Sequence, residues 1–410
     1  MRLFGDGRAA LADDPATADA LGWSPRRRSR PAPEVVLRPR TGDPCREPWI
    51  APPGWTPAPG AAALWRRREA GDGWSYLPHV PGVRRYLHAL AEAPAPDGAR
   101  VGLLGLGRVG GTAATALASL PFARSGIREL LISDSDEPNE RRWQLELESI
   151  AEWHGHTRLP RVRRASADEM FATCSAVVLA AAAGVPPIGS SEDVRLAQLA
   201  PNRGILQDAL RHAREADFAG LFLVVSDPVE ILAQAAFHDS NADAAGRFTG
   251  AGLAPERIAG LALAVMWARA LACARERGWE AEVRRHGAPF GPHSTEVVVF
   301  DDVVRPDAER SACLTRAARE GNFRLRDLGY LPYVGPAVSS IALTQPPLLA
   351  GREVLASVAV DGVFFGSPAR LEWGAFPTAR RIGPVARADL DALHAVLRAR
   401  AASFGTLFQG

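Results

Sequence analysis

His293 lies in the run FGPHSTEVVVF, where Gly, Pro and Ser mark a loop and the valines that follow mark a strand. Imidazole is suited to passing protons because its unperturbed pKa lies near neutrality. A His in a Gly/Pro loop is ordinary when it stands alone, so the question is what else the chain brings to it. Arg195, Arg269 and Asp227, the last in the turn SDP, are the other candidates. An arginine fork matches the two oxygens of a carboxylate, although an Arg on a helix such as Arg269 is more often solvated or ion-paired.

A second constellation is the run VGLLGLGRVGG, with Gly105, Gly107 and Gly110 in GxGxxG spacing and Arg108 and Val109 between them. The motif is weak alone. Here it follows a predicted strand, opens a small-residue helix and precedes a second strand that ends at Asp134, which is the dinucleotide-binding setting. Gly105 permits the tight turn, Gly107 lets backbone approach a pyrophosphate, and Gly110 lets helix and strand pack. The helix N-terminus offers free N–H groups and the positive end of its dipole. Asp134 would accept from an adenine-ribose diol and repel a 2′-phosphate, so NAD is the expected cofactor rather than NADP. The spacing from Gly110 to Asp134 is lengthened by LPFARSG.

Composition narrows the chemistry. All 48 basic side chains are Arg and there is no Lys, which excludes Schiff-base and P-loop lysine chemistry. A net charge of +2 gives no global field for nucleic acid or an anionic membrane. Cys45, Cys174, Cys273 and Cys313 are far apart, which argues against a zinc ribbon or a disulfide framework, and no metal site is expected. The N-terminus has no signal-peptide run, and no stretch of about 18 apolar residues predicts a membrane span. A cytoplasmic protein is expected.

The elements that must position these groups follow from patterning. The 410 residues are too many for one small core. Residues 1–98 read as an extension rich in Pro, Arg and Trp, holding five of the ten Trp and wrapped on the body or on a partner. A short helix is predicted near its end, in PHVPGVRRYLHALAEAPAPDG. Residues 99–232 alternate strands (ARVGLLGLG, RELLISDSD, SAVVLAAAAG, GLFLVVSDP) with helices, which predicts a doubly wound parallel sheet of Rossmann type. Residues 233–410 read as an α+β substrate domain with a long helix over PERIAGLALAVMWARALACARERG and a closing helix at ADLDALHAVLRARAASF.

Five segments in this order resemble the lactate/malate dehydrogenase family over roughly residues 99–410. They are the glycine turn, AAAGVPPIGSSEDVRLAQLAPN with Arg195 and Asn202, LVVSDPVEIL, ERIAGLALAVMWAR, and FGPHSTEV. The resemblance implies hydride transfer between nicotinamide and the C2 carbon of a 2-hydroxy or 2-oxo acid. It implies that Arg195 polarises the substrate carbonyl, that Arg269 holds the substrate carboxylate, that His293 exchanges the proton, and that Gly184 lies near the nicotinamide half of the cofactor. Hydride addition to a ketone builds an alkoxide, which needs a proton donor and an electrophile, and these residue types supply both. A homo-oligomer is also expected.

Two positions depart from that family. Met266 stands where the family has the Asp that orients the histidine, and Asp227 stands where it has Asn. One reading makes Asp227 the replacement carboxylate for His293. A second is loss of the standard reaction, leaving a scaffold that binds a protein partner through residues 1–98. A third is a changed substrate, such as an imine, a dehydroamino acid or a carbonyl on a larger, peptide-like carboxylate.

Overall fold

A computed structural model describes residues 98–407 apart from 152–157, 185–195, 219, 247–251, 254–256, 330–352, 361–362, 372–375 and 378–381, together with six short strands before residue 79. Those six are β1 (Leu3–Gly5), β2 (Ala10–Ala12), β3 (Ser24–Arg26), β4 (Val35–Arg38), β5 (Arg67–Arg68) and β6 (Ser75–Pro78). They form one sheet in the order β3-β1-β2-β4-β6-β5, so the extension carries a sheet that its composition did not suggest. The helix predicted near its end lies outside the described residues.

From residue 99 strands and helices alternate: β7 (Ala99–Leu104), α1 (Arg108–Ala118), α2 (Phe122–Ser125), β8 (Ile127–Ser133), α3 (Glu137–Glu148), β9 (Arg161–Arg164), α4 (Ala167–Thr173), β10 (Ala176–Leu179), α5 (Leu199–Glu215), β11 (Leu221–Val224), α6 (Val229–Asn241) and β12 (Ile258–Gly260). These six strands are parallel in the order β9-β8-β7-β10-β11-β12. The chain leaves the central β7 for β8 and β9, then returns to its other side, so the switch point lies between β7 and β10.

Successive residues of a strand face opposite sides, and the sheet obeys this. Leu130, Ile132, Val178 and Leu223 pack into one core, while Leu131, Val177, Leu179 and Phe222 pack into the other. The inserted LPFARSG is the short helix α2, closed by Gly126 in a left-handed conformation, whose carbonyl accepts from the first N–H of β7 at 2.7 Å.

Beyond β12 come α7 (Leu263–Glu276), α8 (Glu280–His286), β13 (Ala288–Phe290), β14 (Val298–Phe300), α9 (Ala308–Asp327), β15 (Glu353–Val360), β16 (Val363–Arg370), β17 (Phe376–Pro377) and α10 (Pro384–Leu407). Two sequence expectations are revised. The parallel sheet runs past residue 232, because its sixth strand is β12. The long helix predicted to begin near Pro255 begins at Leu263 instead, and IAG within that apolar run is the strand that pairs with β11. An apolar run of this kind suits a buried strand as well as a helix. The antiparallel strands β15, β16 and β17 then extend the same sheet, giving nine strands in all. A third core joins α7, α9 and β14 through Leu263, Met266, Val299, Leu314 and Ala318.

Candidate active site

The glycine turn joins the carboxyl end of β7 to α1. Gly105 has φ +93°, and a Cβ there would lie 2.4 Å from Ala181 backbone. A Cβ on Gly110 would meet the Gly105 carbonyl at 1.8 Å, whereas Gly107 faces open space. Gly107 also caps α1 without any side-chain bond to the first turn, so the N–H groups of that turn are left for a ligand. Arg108 is exposed and Val109 half-buried at the start of the helix.

Asp134 follows β8 directly. Its Oδ2 accepts from the Leu106 N–H at 2.6 Å and its Oδ1 from the Asp136 N–H at 2.9 Å, which fixes the carboxylate against the turn. Asn139 on α3 adds a second tie, donating to the Leu106 carbonyl at 3.3 Å. A tight turn, an open glycine, a helix start and an anchored acid together fit a dinucleotide.

Across the switch point, the segments after β10 and β11 are tied together. Ser226 Oγ donates to the Ala181 carbonyl at 2.6 Å. Asn202, buried on α5, accepts from the Ala183 N–H at 2.9 Å and donates to the Asp227 carbonyl at 2.8 Å. It thus straps the segment ending at Gly184 to the Asp227 turn. Gly184 has φ +142°, a conformation suited to glycine.

The His293 loop joins β13 to β14. Gly291, at φ +89°, turns the chain ahead of it, and its N–H donates to the Gly366 carbonyl of β16 at 2.9 Å. His293 is buried, and its N–H donates to Glu230 Oε1 at 2.9 Å. The same oxygen accepts from Ser357 Oγ of β15 at 2.8 Å. Burial pushes the Glu230 carboxyl above its ordinary range; the two hydrogen bonds oppose that, and the nearby charge of Asp227 adds to it. Asp227, Glu230 and His293 therefore belong to one cluster at the carboxyl end of β11. Glu230 was missed in the sequence, although it follows Asp227 by one turn at the start of α6. From the other end of the loop, Glu296 is held by Arg400 of α10, with one contact at 2.7 Å.

The helix candidates pack against α9 and the strand that follows the His293 loop. Met266 is buried in the third core with Val297, Val299 and Leu314. Arg269 donates to the Ala318 carbonyl of α9 at 3.4 Å, to Asn322 of α9, and weakly to Met266 Sδ at 3.6 Å. Its guanidinium thus lies along α9. Arg195 lies outside the described residues.

Residues 99–248 match the family model of the lactate/malate dehydrogenase NAD-binding domain. No curated protein sequence matches the chain. Among solved structures, a minor L-lactate dehydrogenase from Enterococcus mundtii is 18% identical with a TM-score of 0.60, the match covering 75% of this chain and 98% of that one. A lactate dehydrogenase from a Medee basin deep-sea metagenome library is 18% identical with a TM-score of 0.57, covering 74% of this chain and 97% of that one. At such identities the likeness is one of fold. Residues 99–248 thus match the NAD-binding domain of lactate/malate dehydrogenases, and about three quarters of the chain shares the fold of the lactate dehydrogenases.

Proposed function

We propose that this chain is an NAD-dependent oxidoreductase acting at a carbonyl, hydroxyl or imine carbon of a carboxylate-bearing substrate, larger or more peptide-like than a simple 2-oxo acid. The observation that carries the reading is the cluster of Asp227, Glu230 and His293, strapped by Asn202 to the segment that ends at Gly184. NAD, when bound, supplies or accepts the hydride. Gly105, Gly107 and Gly110 would admit its pyrophosphate to the start of α1, and Asp134 would take its adenine ribose.

The remaining work falls to side chains. His293 gives a proton to the oxygen or nitrogen on which charge builds during reduction, and takes it back in the reverse direction. Glu230 is a positioning residue, since it holds the His293 backbone and not its ring. Asp227 is the carboxylate that favours the charged imidazole. Arg195 is the electrophile for the polarised bond, on the resemblance alone. Arg269 becomes a substrate ligand only by leaving α9, which is one reason to favour an unusual substrate. A cytoplasmic homo-oligomer completes the proposal, also on the resemblance.

The buried Met266 and the α9-bound Arg269 favour a second reading, a non-catalytic protein that binds a partner through residues 1–98. Titration with NADH and NADPH, followed by turnover on 2-oxo acids, imines and peptide-linked carbonyls, separates the two. Tighter NADH binding with turnover that His293→Asn abolishes supports the enzyme. Absence of binding by either cofactor sinks it.

A further inference from the structure

The sequence keeps Cys273 and Cys313 far apart, yet the fold sets their sulfurs 3.7 Å from each other. Cys273 is buried on α7 and Cys313 is partly exposed on the facing α9. Both are reduced, and the pair becomes a disulfide once the sulfurs close to bonding distance, about 2.0 Å. Helices α7 and α9 run past each other in opposite directions: Cys273 meets Cys313, while Arg269, one turn earlier, meets Ala318 and Asn322. The sulfur pair thus sits at one end of a packed helical seam, and Arg277 Nη1 donates to Cys273 Sγ at 3.5 Å.

We propose that Cys273 and Cys313 form a reversible oxidation site, closing to an intramolecular disulfide that staples α7 to α9. The two sulfurs differ in access, and this sets the order of events. Burial, with the neighbouring Cys313 thiol second, pushes the Cys273 thiol above its ordinary value. Cys313 is the better exposed and meets the oxidant, a hydroperoxide. Its thiolate attacks the terminal peroxide oxygen, the O–O bond breaks, and the sulfur becomes a sulfenic acid as alkoxide or hydroxide leaves. The Cys273 sulfur then attacks the sulfenic sulfur. The S–O bond breaks, the oxygen leaves as water with the Cys273 proton, and the S–S bond forms. Two thiols lose two electrons and two protons, and the peroxide takes them up. A dithiol reverses the step by thiol–disulfide exchange.

The test uses the full chain, treated with hydrogen peroxide, quenched with an alkylating agent and mapped by mass spectrometry without reduction. The expected product is a linked peptide pair carrying Cys273 and Cys313, in a chain that stays monomeric on a denaturing non-reducing gel and reverts with dithiothreitol. Closing a loop of this length should raise Tm by about 5 °C over the reduced protein. Cys313→Ser and Cys273→Ser should each lack both the link and the shift. Oxidation that stops at a Cys313 sulfinic acid, or that joins either residue to Cys45, Cys174 or a second chain, overturns the proposal.

Discussion

Glu230 ties down the His293 loop through its backbone and not through its ring. It accepts from the His293 N–H and from Ser357, so its removal should loosen the loop on which the imidazole rides. Its folded pKa is raised, chiefly by burial. The native state therefore binds the Glu230 proton more tightly than the unfolded state, and this contribution to stability is present at low pH and lost as pH rises through the folded value. In Glu230→Gln, chemical denaturation across pH 4 to 8 should show a shallower fall in stability with rising pH than the parent. A parallel fall in both proteins would mean that another group sets the slope. His293→Asn should lower turnover by about 10²–10⁴-fold while leaving NADH affinity within a few-fold. Asp227→Asn should lower turnover and move its pH profile, since the charged imidazole would lose its carboxylate. An unchanged profile would remove Asp227 from the proposal. Asp227 was conspicuous in the sequence because it broke a familiar turn, whereas Glu230 broke nothing and its burial needed the fold to be seen.

Elements with a strong local signature were readable in the sequence. Strand β7, the glycine turn, α1 and β8 stand in the order their spacing predicts, because the turn, the helix start and the acid at the end of β8 are all local features. Strand β9 was overlooked: RVRR is an edge strand whose Arg163 and Arg164 are neutralised by Glu129, Glu169 and Glu140, and edge strands use charge in this way. Strand β12 was absorbed into a predicted helix, since IAGLALAV is apolar throughout and periodicity cannot divide it. The Cys273–Cys313 contact was illegible because nothing local joins two distant positions. At this scale Gly110→Ala is the sharpest probe of the turn. A Cβ there would collide with the Gly105 carbonyl, so a loss of about 1–3 kcal/mol in stability and failure to bind NADH are expected. Met266→Asp would place a carboxylate in the third core, next to Arg269 and among Val297, Val299 and Leu314. It should cost at least about 2 kcal/mol and restore no turnover, as urea titration and activity assays can show.

For the whole molecule, the comparison of interest is between residues 1–98 and the rest. The family model matches residues 99–248 and the dehydrogenase fold covers about three quarters of the chain, while the extension carries its own six-stranded sheet. Deleting residues 1–98 should leave NADH binding within a few-fold and weaken turnover of a large or peptide-linked substrate far more than that of a small 2-oxo acid. Equal losses on both would place the extension in the stability of the enzyme and not in its selectivity.

The nine-stranded sheet carries one more consequence. Because β12 pairs with β11 on one side and β15 on the other, the backbone ladder passes without a break from the parallel strands into the antiparallel ones. A shared ladder couples the melting of its strands, so the dinucleotide half and the half bearing His293 should not unfold in turn. Calorimetry of the chain from residue 98 onward should give one transition, and the slowest amide protons of β11, β12 and β15 should exchange at a common rate.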